Sequence, residues 1–248
     1  MLKQKYFLTG IFILSAERQP IKLAWRKIVW LHFDMIVETM TYQEIADEFK
    51  KDWERSIRHK ITDCFGMANK YRRYILKEGK TDKWIRFKPI EFTSPRGNNC
   101  VIQFVSKGWA DYKRNGLIFV LYMYYYKSEG LYAVMIAGDN FDEFSFYTPH
   151  LFDRYRERKL KDISKPKLQT MFDFFKTNAT SRFNRVNNDK YANSIFSVCP
   201  NGVTLGSEIS DKIIENRTYI TFEMLKSDQV QDEEKLGTAL KAYLDKQL

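Results

Sequence analysis

Four residues of this chain follow the spacing H-x-x-x-R-x-x-E-R: His150, Arg154, Glu157 and Arg158. On an α-helix these positions fall within a sector about 100° wide, so an imidazole, two guanidiniums and a carboxylate share one face. The opposite side carries Leu151, Phe152 and Tyr155, which would anchor the helix to a core. Histidine changes charge near neutrality, a carboxylate takes or gives a proton, and guanidinium groups match the geometry of phosphate oxygens. Phosphodiester cleavage needs such a set. A base takes a proton from a 2′-hydroxyl or water, an acid protonates the leaving oxygen, and arginines hold the phosphate as charge builds. This scheme calls for no metal and no cofactor, and the three histidines, His32, His59 and His150, have no metal-ligand spacing. The competing reading is a solvated face with weak surface pairs, in which His150 does no more than cap.

The elements that would position these residues are legible on both sides. Thr148 and Pro149 supply an N-cap and a first helical residue, and the helix should run to about residue 160. Before it, runs at 100–106, 117–126, 131–138 and 142–148 are rich in Val, Ile, Phe and Tyr and are separated by turn residues, which predicts an antiparallel meander. After it come a helix over 165–177, an Asn-rich loop over 184–193 and strands over 194–198, 203–209 and 213–221. A last helix starts near Asp232. Residues 41–63 and 65–77 read as two amphipathic helices, the first opened by the capping box Thr41 to Glu44. Arg55, Arg58, His59, Arg72 and Arg73 fall on their exposed sides, and the join near Gly66 offers no clear recognition helix for DNA. The expected class is α+β, with antiparallel meanders, flanking helices and a helical N-terminal segment. Its divisions are an N-terminal extension (1–40), a helical scaffold (41–99) and the α+β domain (100–248). Tyr122, Tyr124 and Tyr126 alternate along one strand, a row that can stack bases but is more often the half-buried face of a sheet.

With 44% hydrophobic and 16% aromatic residues, the composition excludes a disordered chain. The formal charge is +10, and residues 150–190 hold 11 basic against five acidic residues, an excess of six. Such a field attracts polyanions, so nucleic acid is the first partner expected, with RNA favoured, and an anionic membrane surface the second; the plain alternative is a solvated basic surface that keeps the protein soluble. Lys165, Lys167, Lys176, Arg182, Arg185 and Arg217 are the candidate binding residues. The three cysteines, Cys64, Cys100 and Cys199, are odd in number and widely spaced, which suits a reducing, cytoplasmic compartment. The apolar run 6–14 is too short to span a bilayer and passes only weakly as a signal peptide.

The run from His150 to Arg158 resembles the helix of small phage-borne and toxin-related domains in the barnase, EndoU, colicin and RelE supergroup. The later segments Gly202-Val-Thr-Leu-Gly206 and Asn216-Arg217-Thr218-Tyr219-Ile220-Thr221 resemble the strands that follow it there. The resemblance covers about residues 150–221. It implies a metal-independent ribonuclease with His150, Arg154, Glu157 and Arg158 at the site and Thr218 and Tyr219 beside it. It also leaves room for an antitoxin-like protein partner. Two other classes compete: a phage or mobile-element protein that binds nucleic acid or protein without catalysis, and an assembly protein whose aromatic strands form an oligomer interface.

Overall fold

The computed structural model describes residues 36–59, 68–78, 84–138, 140–179, 182–185 and 193–225, without the side chains at 68, 69, 115, 182–185 and 225. The apolar run 6–14, the join near Gly66, the stretch 186–192 and the helix expected from Asp232 lie outside the described residues.

Six helices and ten strands are described. Helix α1 (Tyr42–Asp52) begins at Thr41, where the capping box to Glu44 is formed. It then widens into a π-helical turn, Trp53–Ile57, where the sequence predicts a plain helix to residue 63. Helix α2 is Ala68–Glu78, followed by strands β1 (Ile85–Arg86), β2 (Ile90–Thr93) and β3 (Asn99–Ser106) and by helix α3 (Trp109–Asn115). The scaffold segment 41–99 therefore ends in strands: β1 and β2 both pair with β3. They are too short, at two and four residues, to leave a period in the sequence. Strands β4 (Ile118–Lys127), β5 (Gly130–Ala137) and β6 (Glu143–Tyr147) complete the first meander, as the alternating runs predict.

Helix α4 (Pro149–Tyr155) follows, capped by Thr148, and continues into a second π-helical turn, Arg156–Leu160. Helix α5 (Lys167–Asn178) leads to β7 (Arg182–Arg185), which takes in Asn184 and Arg185, two residues expected in the loop. Strands β8 (Ser194–Cys199), β9 (Gly202–Ser210) and β10 (Ile213–Thr221) form a second meander, and the short helix α6 is Phe222–Leu225.

All ten strands belong to one sheet in the order β1-β3-β4-β5-β6-β10-β9-β8-β7, with β2 also on β3. Each pairing is antiparallel except one: β6 and β10 run parallel, with Tyr147 opposite Asn216. The two meanders thus meet at a parallel seam, and α4 springs from the carboxyl end of β6. The class is α+β and the sheet mainly antiparallel, as expected.

Alternation along β4 assigns the two faces. Leu121, Met123 and Tyr125 join a core with Ile45, Phe49 and Ile75 from α1 and α2, while Val120 and Tyr122 join another with Leu151, Phe152, Phe174 and Phe175 from α4 and α5. The tyrosine row accordingly lies on the α5 face. Tyr122 is fully buried, stacked 4.2 Å from Phe175, and only Tyr126 is well exposed. Packing also extends before residue 40. Ile36 is buried in the first core, and Glu38 accepts hydrogen bonds from Ser128 N at 2.9 Å and Ser128 Oγ at 2.8 Å. Among the described residues no helix is long and apolar enough to cross a membrane.

Candidate functional site

Helix α4 presents its predicted faces. Leu151, Phe152 and Tyr155 are buried, His150 and Glu157 are exposed, and Arg154 and Arg158 are intermediate. Three of the four polar residues, His150, Arg154 and Glu157, are linked along the helix, while Arg158 is drawn to β10. The helix changes pitch at Arg156, and a π-helical turn, bonded i to i+5, advances each residue by less than an α-helical turn does. Arg158 Nη1 donates to the carbonyl oxygen of Tyr219 at 2.6 Å and ties the π turn to β10. Arg154 Nη1 pairs with Glu157 Oε2 at 2.7 Å, and Arg154 Nε donates to His150 Nε2 at 3.4 Å.

His150 instead opens on a concave site of about 410 Å³ whose wall also includes Glu129, Tyr132, Thr148, Asp153, Glu215 and Arg217. Three local features of the sequence build it. The first is a bulge in β10. The register with β9 runs from Asn216 opposite Gly206 to Thr218 opposite Leu205, so Arg217 is the extra residue. A bulge re-aims one side chain and reverses the alternation beyond it. Ile213 accordingly packs with the α1 core, while Tyr219, six residues on, packs with Tyr155 and Phe174 under α4.

The second feature is Thr148. Its Oγ1 accepts from Leu151 N at 3.4 Å as the helix cap and donates to the Arg217 carbonyl at 3.2 Å. The third is Gly130 in the β4–β5 turn, at φ +130°. A Cβ there would stand 3.2 Å from Pro149 Cβ, so the turn carrying Glu129 approaches the first turn of α4 closely.

Electrostatics organise the wall. Glu215 is buried on β10, accepting from the Tyr42 hydroxyl at one oxygen and from Arg217 Nε at the other. Burial first and the Glu215 carboxylate second hold the Tyr42 phenol far above its usual range. The Tyr132 hydroxyl donates to Glu129 Oε2, and burial followed by that carboxylate raises Tyr132 in the same way. Asp153 is shared by Arg156 Nη2 at 3.0 Å and Lys167 Nζ at 3.1 Å. Of the three carboxylates of the wall, Glu215 is thus matched by Arg217, Asp153 by Arg156 and Lys167, and Glu129 by the Tyr132 hydroxyl. They do not converge on a point: among the described residues no group of three His, Cys, Asp or Glu is placed to hold a metal ion.

Of the other predicted residues, Tyr219 is completely buried and its hydroxyl has no hydrogen-bond partner among the described residues, so no solute reaches it. Thr218 is partly exposed on β10. Lys165 pairs with Asp173, Lys167 with Asp153, and Lys176 is exposed on α5. Arg182 and Arg185 lie on β7, with side chains outside the described residues.

Sequence reading missed Glu129, Tyr132, Tyr42 and Glu215. Only Glu215 left a signal, as a charged residue two positions from Ile213 on the apolar face of a strand. Set against protein-family models, curated proteins and solved structures, the chain matches none of them.

Proposed function

We propose that the chain is a metal-independent ribonuclease whose working centre is the cavity holding His150 and Arg217, and not the whole charged face of α4. The observation that carries this reading is that an imidazole, a guanidinium and carboxylates from three separate elements line one concavity. Glu129 has one oxygen engaged by Tyr132 and takes the proton of a ribose 2′-hydroxyl with the other. The 2′-oxygen forms a bond to phosphorus, the bond from phosphorus to the 5′-oxygen breaks, and His150 in its protonated form gives that oxygen its proton. Arg217 holds the non-bridging oxygens, and Glu215 keeps its guanidinium extended. Arg154 positions the neutral imidazole through its Nε2, and that bond gives way when His150 takes up the proton it delivers.

The test is the product. RNA incubated with the protein in EDTA should yield 2′,3′-cyclic phosphate ends, and the same sequence made with 2′-deoxyribose should stay intact. Cleavage of the deoxy strand would rule out attack by the 2′-hydroxyl. A second reading, binding without catalysis, is favoured by one observation: both oxygens of Glu215 and the cations Lys165 and Lys167 are already engaged. It predicts a salt-sensitive complex and no product.

A further inference from the structure

We infer that the protein has a second nucleic-acid contact on the opposite face of the sheet, where Trp109 forms a stacking platform for single-stranded nucleic acid between α2 and α3. Trp109 begins α3 and is partly exposed, with its ring stacked on Tyr112 at 5.7 Å between centroids and 21° between planes. Arg72 of α2 stands 5.9 Å from the centre of that ring and Lys113 of α3 5.7 Å from it. Arg72 and Lys113 are exposed, as are Lys70, Arg73, Lys77 and Arg114 around them.

Among the described residues, no carboxylate pairs with any of these six cations. This sets them apart from the basic stretch after His150, where Arg154, Arg156, Lys165 and Lys167 all form ion pairs. Cations held at a tryptophan by its π face, with no carboxylate to leave behind, are free to turn toward phosphates as a base meets the ring. Aromatic stacking inside a cluster where six cations outnumber the two carboxylates of α2 and α3, Glu78 and Asp111, is the chemistry that recognises an unpaired base with its backbone. A duplex hides its base faces and offers this platform charge alone. The platform is independent of cleavage, because α2 and α3 pack on the α1 core and α4 on the other.

Fluorescence anisotropy with labelled oligo-rU and oligo-dT of equal length, read in a His150→Ala background to prevent cleavage, tests the platform. Both strands should bind more tightly than a duplex of the same length. Arg72→Glu with Lys113→Glu should weaken binding at least tenfold and flatten the logarithmic salt dependence by roughly 0.7 for each phosphate no longer neutralised. Trp109→Phe should retain most of the affinity and Trp109→Ala should lose it. The paired charge variant keeps the test decisive if Trp109→Ala does not fold. Lys159→Glu, the same kind of charge reversal beside α4, should change binding less than twofold. Equal weakening by Lys159→Glu, or equal binding of duplex and single strand, would overturn the proposal in favour of bulk charge. Binding of oligo-rU alone would keep the platform and restrict its ligand to RNA.

Discussion

Thr148 Oγ1 donates a hydrogen bond of 3.2 Å to the carbonyl oxygen of Arg217, so the residue that caps α4 also fixes the bulge from which Arg217 emerges. His150 and Arg217 are 67 positions apart in the chain, and this bond joins their two segments across the parallel seam of β6 and β10. Thr148→Val keeps the shape of the side chain but removes both the cap acceptor and the donor to Arg217. It should cost roughly 1–2 kcal/mol in denaturant unfolding. It should also reduce RNA cleavage by more than that stability change explains, with kcat falling while KM stays within a few-fold. An unchanged kcat would mean that the seam does not need this bond.

Residues that hold the site are distinct from those that act in it. Phe152 is 1% exposed and packs edge-on to Phe174, so Phe152→Ala should leave a cavity costing on the order of 3–5 kcal/mol. Gly206 acts through backbone approach: a Cβ there would stand 1.8 Å from the carbonyl oxygen of Glu215. Gly206→Ala must push β9 from β10 beside the bulge, and it should destabilise by a few kcal/mol. Melting curves of the two variants check both figures.

Eight of the 15 tyrosines, Tyr42, Tyr122, Tyr124, Tyr125, Tyr132, Tyr147, Tyr155 and Tyr219, have phenols raised chiefly by burial. A raised phenol stabilises the fold fully below the unfolded tyrosine value of about 10, and that contribution is lost as the pH climbs above it. Phenolate absorbance from these eight should therefore rise abruptly, together with the collapse of circular dichroism. Smooth ionisation of these eight with circular dichroism unchanged would contradict the burial described here.

Much of this architecture was legible in the sequence because it rests on local periodicity. The meander strands, the Thr148 cap and the burial of Leu151, Phe152 and Tyr155 follow from alternation and helical spacing. The site was legible only at His150 and Arg217. Helical counting placed His150, Arg154 and Glu157 on one face, and those three are linked; nothing in the local sequence announces the π turn or the bond from Arg158 to the Tyr219 carbonyl. Glu129 comes to the cavity from a hairpin turn, and Tyr42 reaches the lining residue Glu215 from a helix on the other face of the sheet, neighbours set by strand order. The alternation of β10 likewise predicts Tyr219 on the same face as Glu215, and only the bulge at Arg217 buries it under α4.

In the proposed mechanism His150 and Arg217 work together in one cavity while Arg158 serves the fold. Single-turnover cleavage of one labelled RNA in EDTA by the parent, His150→Ala, Arg217→Ala and Arg158→Ala tests it most directly. The parent should cleave. His150→Ala and Arg217→Ala should each fall by about 100-fold or more, His150→Ala at unchanged melting temperature because its side chain is exposed, and Arg217→Ala melting lower because it leaves the buried Glu215 carboxylate without its cation. Arg158→Ala should stay within a few-fold of the parent while melting lower, without its bond to the Tyr219 carbonyl. No cleavage by the parent, or an Arg217→Ala variant as active as the parent while Arg158→Ala is inactive, would contradict the account.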